Sequence, residues 1–242
     1  MPKQSTPAAG THVNELNLIL QASSDGGPLA QTGFQLVPLT LGEQLVELGS
    51  TMTYAYFPTR GVISLLSSTP AGNTVEVAAI GHEGVAAPPF LAGVAPSPFH
   101  VVVQVEGSAL RINHQRLATH LDERPEMRER LLRFLHTLVA QISQSAVCNR
   151  FHTTRQRLAR WLLFVADRAQ RDTVPMTHEV AALMVGSTRP RVTAAIQGLR
   201  RRGFIEHRRG EVSILDREGL SRVSCDCYDA MSAYFADETG EV

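Results

Sequence analysis

The hydrophobic pattern of the chain changes period twice. From residue 34 to about 112, apolar stretches of four to eight residues are punctuated by Gly, Pro and Asn: "FQLVPL", "QLVEL", "YAYFP", "GVISLLSS", "TVEVAAI", "HVVVQV" and "SALRI". Runs of that length, bounded by turn formers, are strand signals. "PAGN", with Gly72 and Asn73, marks a turn between two of them. Seven or eight strands at roughly ten-residue spacing, with no helix-length pattern between them, predict a small barrel or sandwich and not a parallel βαβ sheet. Ahead of them, 14–22 predicts a short helix turning Leu16, Ile19 and Leu20 inward, and 1–13 reads as a disordered leader.

At Asp122 the period becomes helical. "LDERPEMRERLLRFLHTLVAQISQSAVCNRF" predicts one long helix, capped by Asp122, with Pro125 near its start, where the missing N–H costs little. Leu131, Leu135, Leu138, Ile142, Ser145 and Asn149 follow at intervals of 4, 3, 4, 3 and 4, the spacing of a coiled-coil seam. Two readings stand. Leu131, Leu135, Leu138, Ile142 and Ser145 pair two copies of the chain, or they lay the helix on its own barrel. Phe134 and Val139 widen the apolar face enough for both. A second amphipathic helix, 153–169, carries the only tryptophan, Trp161, and "RDTVP" interrupts the pattern, because Pro175 forces the residue before it out of helix.

The densest signal lies between Thr177 and Leu215. Thr177 caps a helix to Met184, and Gly186 supplies a left-handed turn. Thr188 caps a second helix with Arg189 and Pro190 in its first turn, an apolar stripe of Val192, Ala195, Ile196 and Leu199, and Gly203 at its end. "FIEHRR" and "EVSILD" then form two strands joined at Arg209-Gly210. This is a helix-turn-helix followed by a wing, whose second helix enters the major groove of DNA. Thr188, Arg189 and Arg191 lie where side chains reach base edges or phosphates, with Arg189 as the guanine reader. Thr177, His178, Arg200 and Arg208 are phosphate candidates, and Arg208 and Arg209 sit near the wing tip. The bland reading of "RRR" at 200–202 is a helix terminus completing its dipole.

Net charge is zero, which at first argues against a nucleic-acid partner. The distribution reverses that: 1–123 hold 4 basic and 9 acidic residues, 124–222 hold 19 and 9, and 223–242 hold 5 acids and no base. An acidic front, a basic segment and an acidic end suggest separate tasks. Of 23 basic residues only Lys3 is a lysine, a skew that genome-wide codon bias also produces. The N-terminus has no secretory pattern, and no run of 18 apolar residues exists, so a cytoplasmic protein without a membrane span is expected.

These features together resemble the CRP/FNR superfamily of bacterial transcription regulators. The residues that carry the likeness are the strand texture, the long helix from Pro125, "RLARWLL" and "THEVAALMVGSTRPRVTAAIQGLRRRGFI". The resemblance implies an α+β chain: an antiparallel β-roll, of the double-stranded jelly-roll kind seen in cyclic-nucleotide sensors, then a dimerising helix and a winged helix-turn-helix. The corresponding segments are 14–120, 121–150 and 151–235, with 236–242 an acidic tail. It also implies a homodimer on palindromic double-stranded DNA and, as a further partner, RNA polymerase. The family's cyclic-AMP binders hold the phosphate with an arginine-serine pair. Here Phe99 and His100 stand in its place, while Glu83 in "IGHEGV" keeps the acid. Without a guanidinium an anionic cyclic phosphate would be buried poorly compensated, so classical cyclic-AMP binding is not expected and the effector is unknown. Glu83, Phe99 and His100 remain the effector-pocket candidates.

Other chemistry is thin. Three cysteines in a chain of 242 residues make no disulfide framework. Cys148 and His152 stand at i and i+4, and Cys225 and Cys227 form "CDC". Buried or free thiols are the bland reading; a redox or metal site joining the hinge helix to the C-terminal segment is the sharper one. No catalytic motif appears, and an enzyme is not expected. "PPFLAGVAPSPF" at 88–99 reads as a packed loop, a ligand lid or a polymerase contact. Two rival functions are a β-roll that binds a ligand and uses its C-terminal domain for protein contacts, and a barrel metalloenzyme built on His82, Glu83 and His100.

Overall fold

The computed structural model describes residues 17–20, 33–86 and 96–239, with side chains to 235. The leader, most of 88–99 and the end of the acidic tail lie outside the described residues. Five antiparallel strands come first: β1 (Gln35–Leu39), β2 (Gln44–Val46), β3 (Tyr54–Ser68), β4 (Thr74–Ile80) and β5 (His100–Asn113). Their order is β1-β5-β3-β4, with β2 also on β5. Among the described residues this is an open path, not a closed barrel.

Seven expected strands become five because two pairs merge. "YAYFP" and "GVISLLSS" are one strand of 15 residues, and "HVVVQV" and "SALRI" one of 14. Gly61 and Gly107 read as breaks but are bends. The β3–β5 register shifts repeatedly between Pro58 and Ile63, and Gly61 sits at φ +84°. A Cβ on Gly61 would lie 2.5 Å from the Val105 carbonyl oxygen, and one on Gly107 would run into the Arg60 carbonyl. Only glycines allow the two backbones to approach this closely while the long pair folds over.

Helices follow. In α1 (His114–Glu123) Asn113 caps the first turn, accepting from the Gln115 N–H at 2.9 Å. The next helix, α2 (Pro125–Phe151), starts after Arg124, so Asp122 belongs to α1 and does not cap α2. Asp122 instead pairs with Arg128 across the break at 2.5 Å. The short helix expected at 14–22 is, in its described part, a turn at 17–20 that does bury Ile19 and Leu20.

The C-terminal half comprises α3 (Thr154–Ala169), β6 (Thr173–Pro175), α4 (His178–Met184), α5 (Arg189–Arg201), β7 (Ile205–Arg208), β8 (Glu211–Ile214), α6 (Arg217–Val223) and α7 (Cys227–Thr239). A reciprocal capping box, Thr153 with Gln156, starts α3. From Arg157 to Ala166 every residue of this helix is buried, Arg157 and Arg160 included. The sequence reading missed β6, which pairs with β8 and makes the wing a three-stranded sheet.

Two cores share the large sheet. One face packs Phe57, Leu65, Ile80 and Leu110 against Met127, Leu131, Phe134 and Leu138 of α2. The other face packs Val62, Leu66, Ala79 and Val105 against α3 and the small C-terminal domain. Burial on both faces explains why β3 and β5 read as continuous apolar runs and not as alternation.

Candidate nucleic-acid interface

Thr177 caps α4, its Oγ1 accepting from the Val180 N–H at 3.2 Å. Gly186 turns the chain at φ +57° and lies against Val75 of β4. Thr188 occupies the N-cap of α5 but makes no capping hydrogen bond through its side chain. Val192, Ala195, Ile196 and Leu199 are buried as the stripe requires. At 100° per residue the side opposite that stripe carries Pro190, Ala194, Gln197 and Arg201; Pro190, Ala194, Gln197 and Arg201 are exposed. Arg189, Thr193 and Arg200 lie on one flank and Arg191 on the other. Gln197 and Arg201 were absent from the site read off the sequence. Their signal was available as the positions facing away from the apolar stripe.

Arg189 is exposed and paired with Glu179 of α4, Nε to Oε1 2.8 Å. The backbone N–H of Glu179 and, less strongly, the Arg189 guanidinium hold the Glu179 carboxyl below the usual range, so it stays charged. An exposed pair of this kind is weak and exchangeable. His178 faces inward: Nδ1 lies 2.9 Å from Thr193 Oγ1, and the ring stacks on His207 at 5.0 Å. Burial, and then the charge of His207, depress its pKa. His178 therefore braces α4 against α5 and the wing. At the tip, Arg209 (φ +51°) and Gly210 (φ +81°) make a two-residue left-handed turn, the geometry that matches strand twist. Arg208 pairs with Glu206 at 2.7 Å and is otherwise open to solvent.

Behind this surface, the large sheet is bonded to α3. Trp161 Nε1 donates to Glu76 Oε1 at 2.8 Å, and Ser64 Oγ donates to Oε2 at 2.5 Å. Burial pushes the Glu76 carboxyl up to about 7. An unfolded glutamate titrates near 4.3, so the folded chain holds the extra proton between the two values. Stability from this group is thus full at low pH and falls as pH rises to about 7. The loss is on the order of 3 kcal/mol, from 1.36 kcal/mol per unit. Glu76→Gln is expected to flatten this slope in urea melts run between pH 5 and 8, and to remove a Trp161 fluorescence transition centred near pH 7. An unchanged slope would mean that Glu76 is not its source.

The effector-pocket trio is not brought together. Glu83 lies past the end of β4 and pairs with Arg168 of α3, Oε1 to Nε 3.0 Å. It also accepts from the Gly81 N–H at 3.0 Å. His100 begins β5, opposite Leu66, and its Nδ1 accepts from the Leu48 N–H at 3.4 Å. Phe99 packs on the sheet's inner core. The sequence could not show that Glu83 has a partner from α3, since the two positions are far apart in the chain.

Within the chain, the expected seam residues divide by burial. Leu131, Leu138 and Ser145 are buried within the chain, and Leu135 and Ile142 are half-buried. Leu132 and Val139 are 53% and 55% exposed, and Ala146 is exposed as well. Leu132, Leu135, Val139, Ile142 and Ala146 therefore form an outward stripe at intervals of 3, 4, 3 and 4. It lies one residue along from the expected seam at three positions and coincides with it at Leu135 and Ile142.

The three cysteines do meet. Cys148 ends α2's buried side, and Cys225 and Cys227 flank the corner between α6 and α7; all three are buried, beside His152. A hydrogen bond from Cys225 lowers the Cys148 thiol to about 5, while that shared bond and burial hold Cys225 up.

Residues 156–223 match the Crp-like helix-turn-helix domain. The chain is 31% identical over 124 residues to a CRP-like cAMP-activated global transcriptional regulator of Mycobacterium tuberculosis, a match covering 48% of this chain and 55% of that one. The chain thus spans about half the length of the curated relatives it matches. FixK2 from Bradyrhizobium japonicum superposes with a TM-score of 0.65 at 14% identity, over 79% of this chain and 98% of that one. TTHA1359, a CRP/FNR-family transcriptional regulator from Thermus thermophilus, gives 0.63 at 21%, over 78% and 98%. Among the described residues, no helix is long and apolar enough to cross a membrane.

Proposed function

We propose that this chain, with its Crp-like helix-turn-helix domain and a fold shared with CRP/FNR-family regulators, is a homodimeric, sequence-specific DNA-binding transcription regulator of that family. The observation that carries the reading is the solvent-facing side of α5. Gln197 and Arg201 stand there, with Arg189 on the adjoining flank, beside a wing tipped by Arg208 and Arg209, and the helix's opposite side is fully buried. Arg189 exchanges Glu179 for a guanine edge, and Gln197 faces adenine. Thr188 and Arg191 add contacts at the helix start. Thr177, Arg200, Arg208 and Arg209 hold phosphates. His178 keeps the two helices in register.

Two copies pair along the outward stripe of α2, which sets two recognition helices about 34 Å apart, one turn of duplex. The large sheet acts as the sensing or formerly sensing unit, shifting the population of the DNA-competent arrangement through α3. With Glu83 engaged by Arg168, its signal is something other than a cyclic phosphate. Partnership with RNA polymerase belongs to the same reading.

In vitro selection of duplexes bound by the full chain tests it: enrichment of a two-fold-related motif is expected, and no enrichment at low salt would end it. Within the enriched motif, Arg189→Ala should relax preference at one position per half-site, costing roughly 1–3 kcal/mol. Arg208→Ala should instead weaken all sequences alike and flatten the salt dependence by about one phosphate. Quantitative binding to a panel of single-base variants separates the two outcomes.

A further inference from the structure

We propose that Cys148, His152, Cys225 and Cys227 form a mononuclear site for a thiophilic divalent cation of the zinc class. Their four ligand atoms all lie within 4.8 Å of one another. Cys148 Sγ and Cys225 Sγ are 3.5 Å apart, and Cys227 Sγ and His152 Nδ1 3.4 Å. A tetrahedron with arms of about 2.3 Å to sulfur and 2.0 Å to nitrogen has edges of about 3.5–3.8 Å. The side chains therefore already stand near the corners of such a figure. An iron–sulfur cluster places several metal atoms between its thiolates, and this spacing leaves room for a single ion.

Three further observations point the same way. His152 turns Nδ1 toward the thiols and lies 3.4 Å through Nε2 from Asp226 Oδ1. A carboxylate on the far nitrogen is the outer arrangement that orients a metal-bound imidazole. Gln144 Nε2 donates to Cys227 Sγ at 3.0 Å, and the buried Arg160 approaches from α3. Three thiolates around a doubly charged ion leave one negative charge, which the nearby Arg160 charge offsets while the Gln144 amide hydrogen-bonds a thiolate. Finally, the three cysteines form a small buried cluster of their own, joined to neither apolar core. An ion supplies there the cohesion that such a cluster cannot obtain from apolar contact.

The chain course gives the site a consequence. His152 is the C-cap of α2, and Thr153 the N-cap of α3. The ion would fasten the joint between the long helix and the helix-turn-helix to the α6–α7 corner, which follows the wing. Loading and stripping would then stiffen and loosen the stance of α5 against α2.

The test uses the full chain, reduced and stripped with a chelator, and titrated with Co2+ in the absence of oxygen. One equivalent per chain is expected to bring the intense visible bands of tetrahedral Co2+ with thiolate charge transfer, bleached by one equivalent of Zn2+. Cys225→Ser should lower Zn2+ affinity by about two orders of magnitude or more. Asp226→Asn, at an exposed position outside the ligand set, should lower it about tenfold. Zn2+ should also raise the melting temperature of the unsubstituted chain and leave that of Cys225→Ser unmoved. Pale octahedral Co2+ spectra, a brown iron–sulfur chromophore, a stoichiometry other than one, or equal affinity in Cys225→Ser would each overturn the proposal. So would a Cys148–Cys225 disulfide whose reduction restores no Co2+ uptake.

Discussion

A Val139→Asp chain is expected to fold normally, sediment as a monomer, and lose its preference for a palindromic duplex. Val139 is 55% exposed at the middle of the outward stripe of α2. Its replacement therefore leaves the intramolecular core untouched. Across a two-fold axis it would place two carboxylates against each other in an apolar seam, where burial of unpaired charge is costly. The remaining affinity should be the non-specific one, roughly 10⁻⁴–10⁻⁶ M at physiological salt, a loss of about three orders of magnitude or more. Leu138→Ala supplies the contrast. Leu138 is buried against the sheet, so its truncation should cost roughly 2–5 kcal/mol of stability with the dimer retained. Sedimentation velocity and urea melts on both variants distinguish the cases. A dimeric Val139→Asp chain would show that the outward stripe of α2 does not pair the two copies.

Arg168→Met should be the most destabilising single change at the junction between the large sheet and α3, by roughly 3–5 kcal/mol. Arg168 is 6% exposed, with Nε 3.0 Å from both Glu83 Oε1 and the Ala79 carbonyl oxygen. Its guanidinium also lies 3.5 Å from the ring centre of Phe164. Methionine restores most of the volume but leaves the buried Glu83 carboxylate without its guanidinium partner. Adding Glu83→Gln should therefore recover part of the loss, and a double-mutant cycle in urea measures how much. Additive losses in the cycle would show that the two side chains do not interact.

The small C-terminal domain was legible because its determinants are local. Gly186, Gly203 and Arg209-Gly210 mark turns within a few residues of the helices and strands they end, and the apolar stripe of α5 is set by one period. The register of α2 was not legible. Its residues at 131, 138 and 145 and those at 132, 139 and 146 are neighbours on the helix surface, and only the sheet decides which set it covers. Strand number failed for a related reason: a glycine that bends a strand and a glycine that ends one look alike until the partner strand is placed. Strand β6, three residues long and ending in a proline, takes its meaning from β8, about forty residues away. The cysteine group depends on a contact spanning 77 positions, so the spacing of "CDC" alone resembled no known metal pattern. The corner at 216–227, which brings it to Cys148, carries no strong period.

Val62, Leu66, Ala79 and Val105 lie in the same core as Trp161, Leu162 and Leu199. The sheet and the DNA-facing helices therefore have no separate melting unit at their boundary. Heat or denaturant should take them apart in one concerted transition. A fragment cut at the hinge would carry a bare apolar face and cluster with its own kind. The large sheet and the helix-turn-helix are, on this view, halves of one folding event.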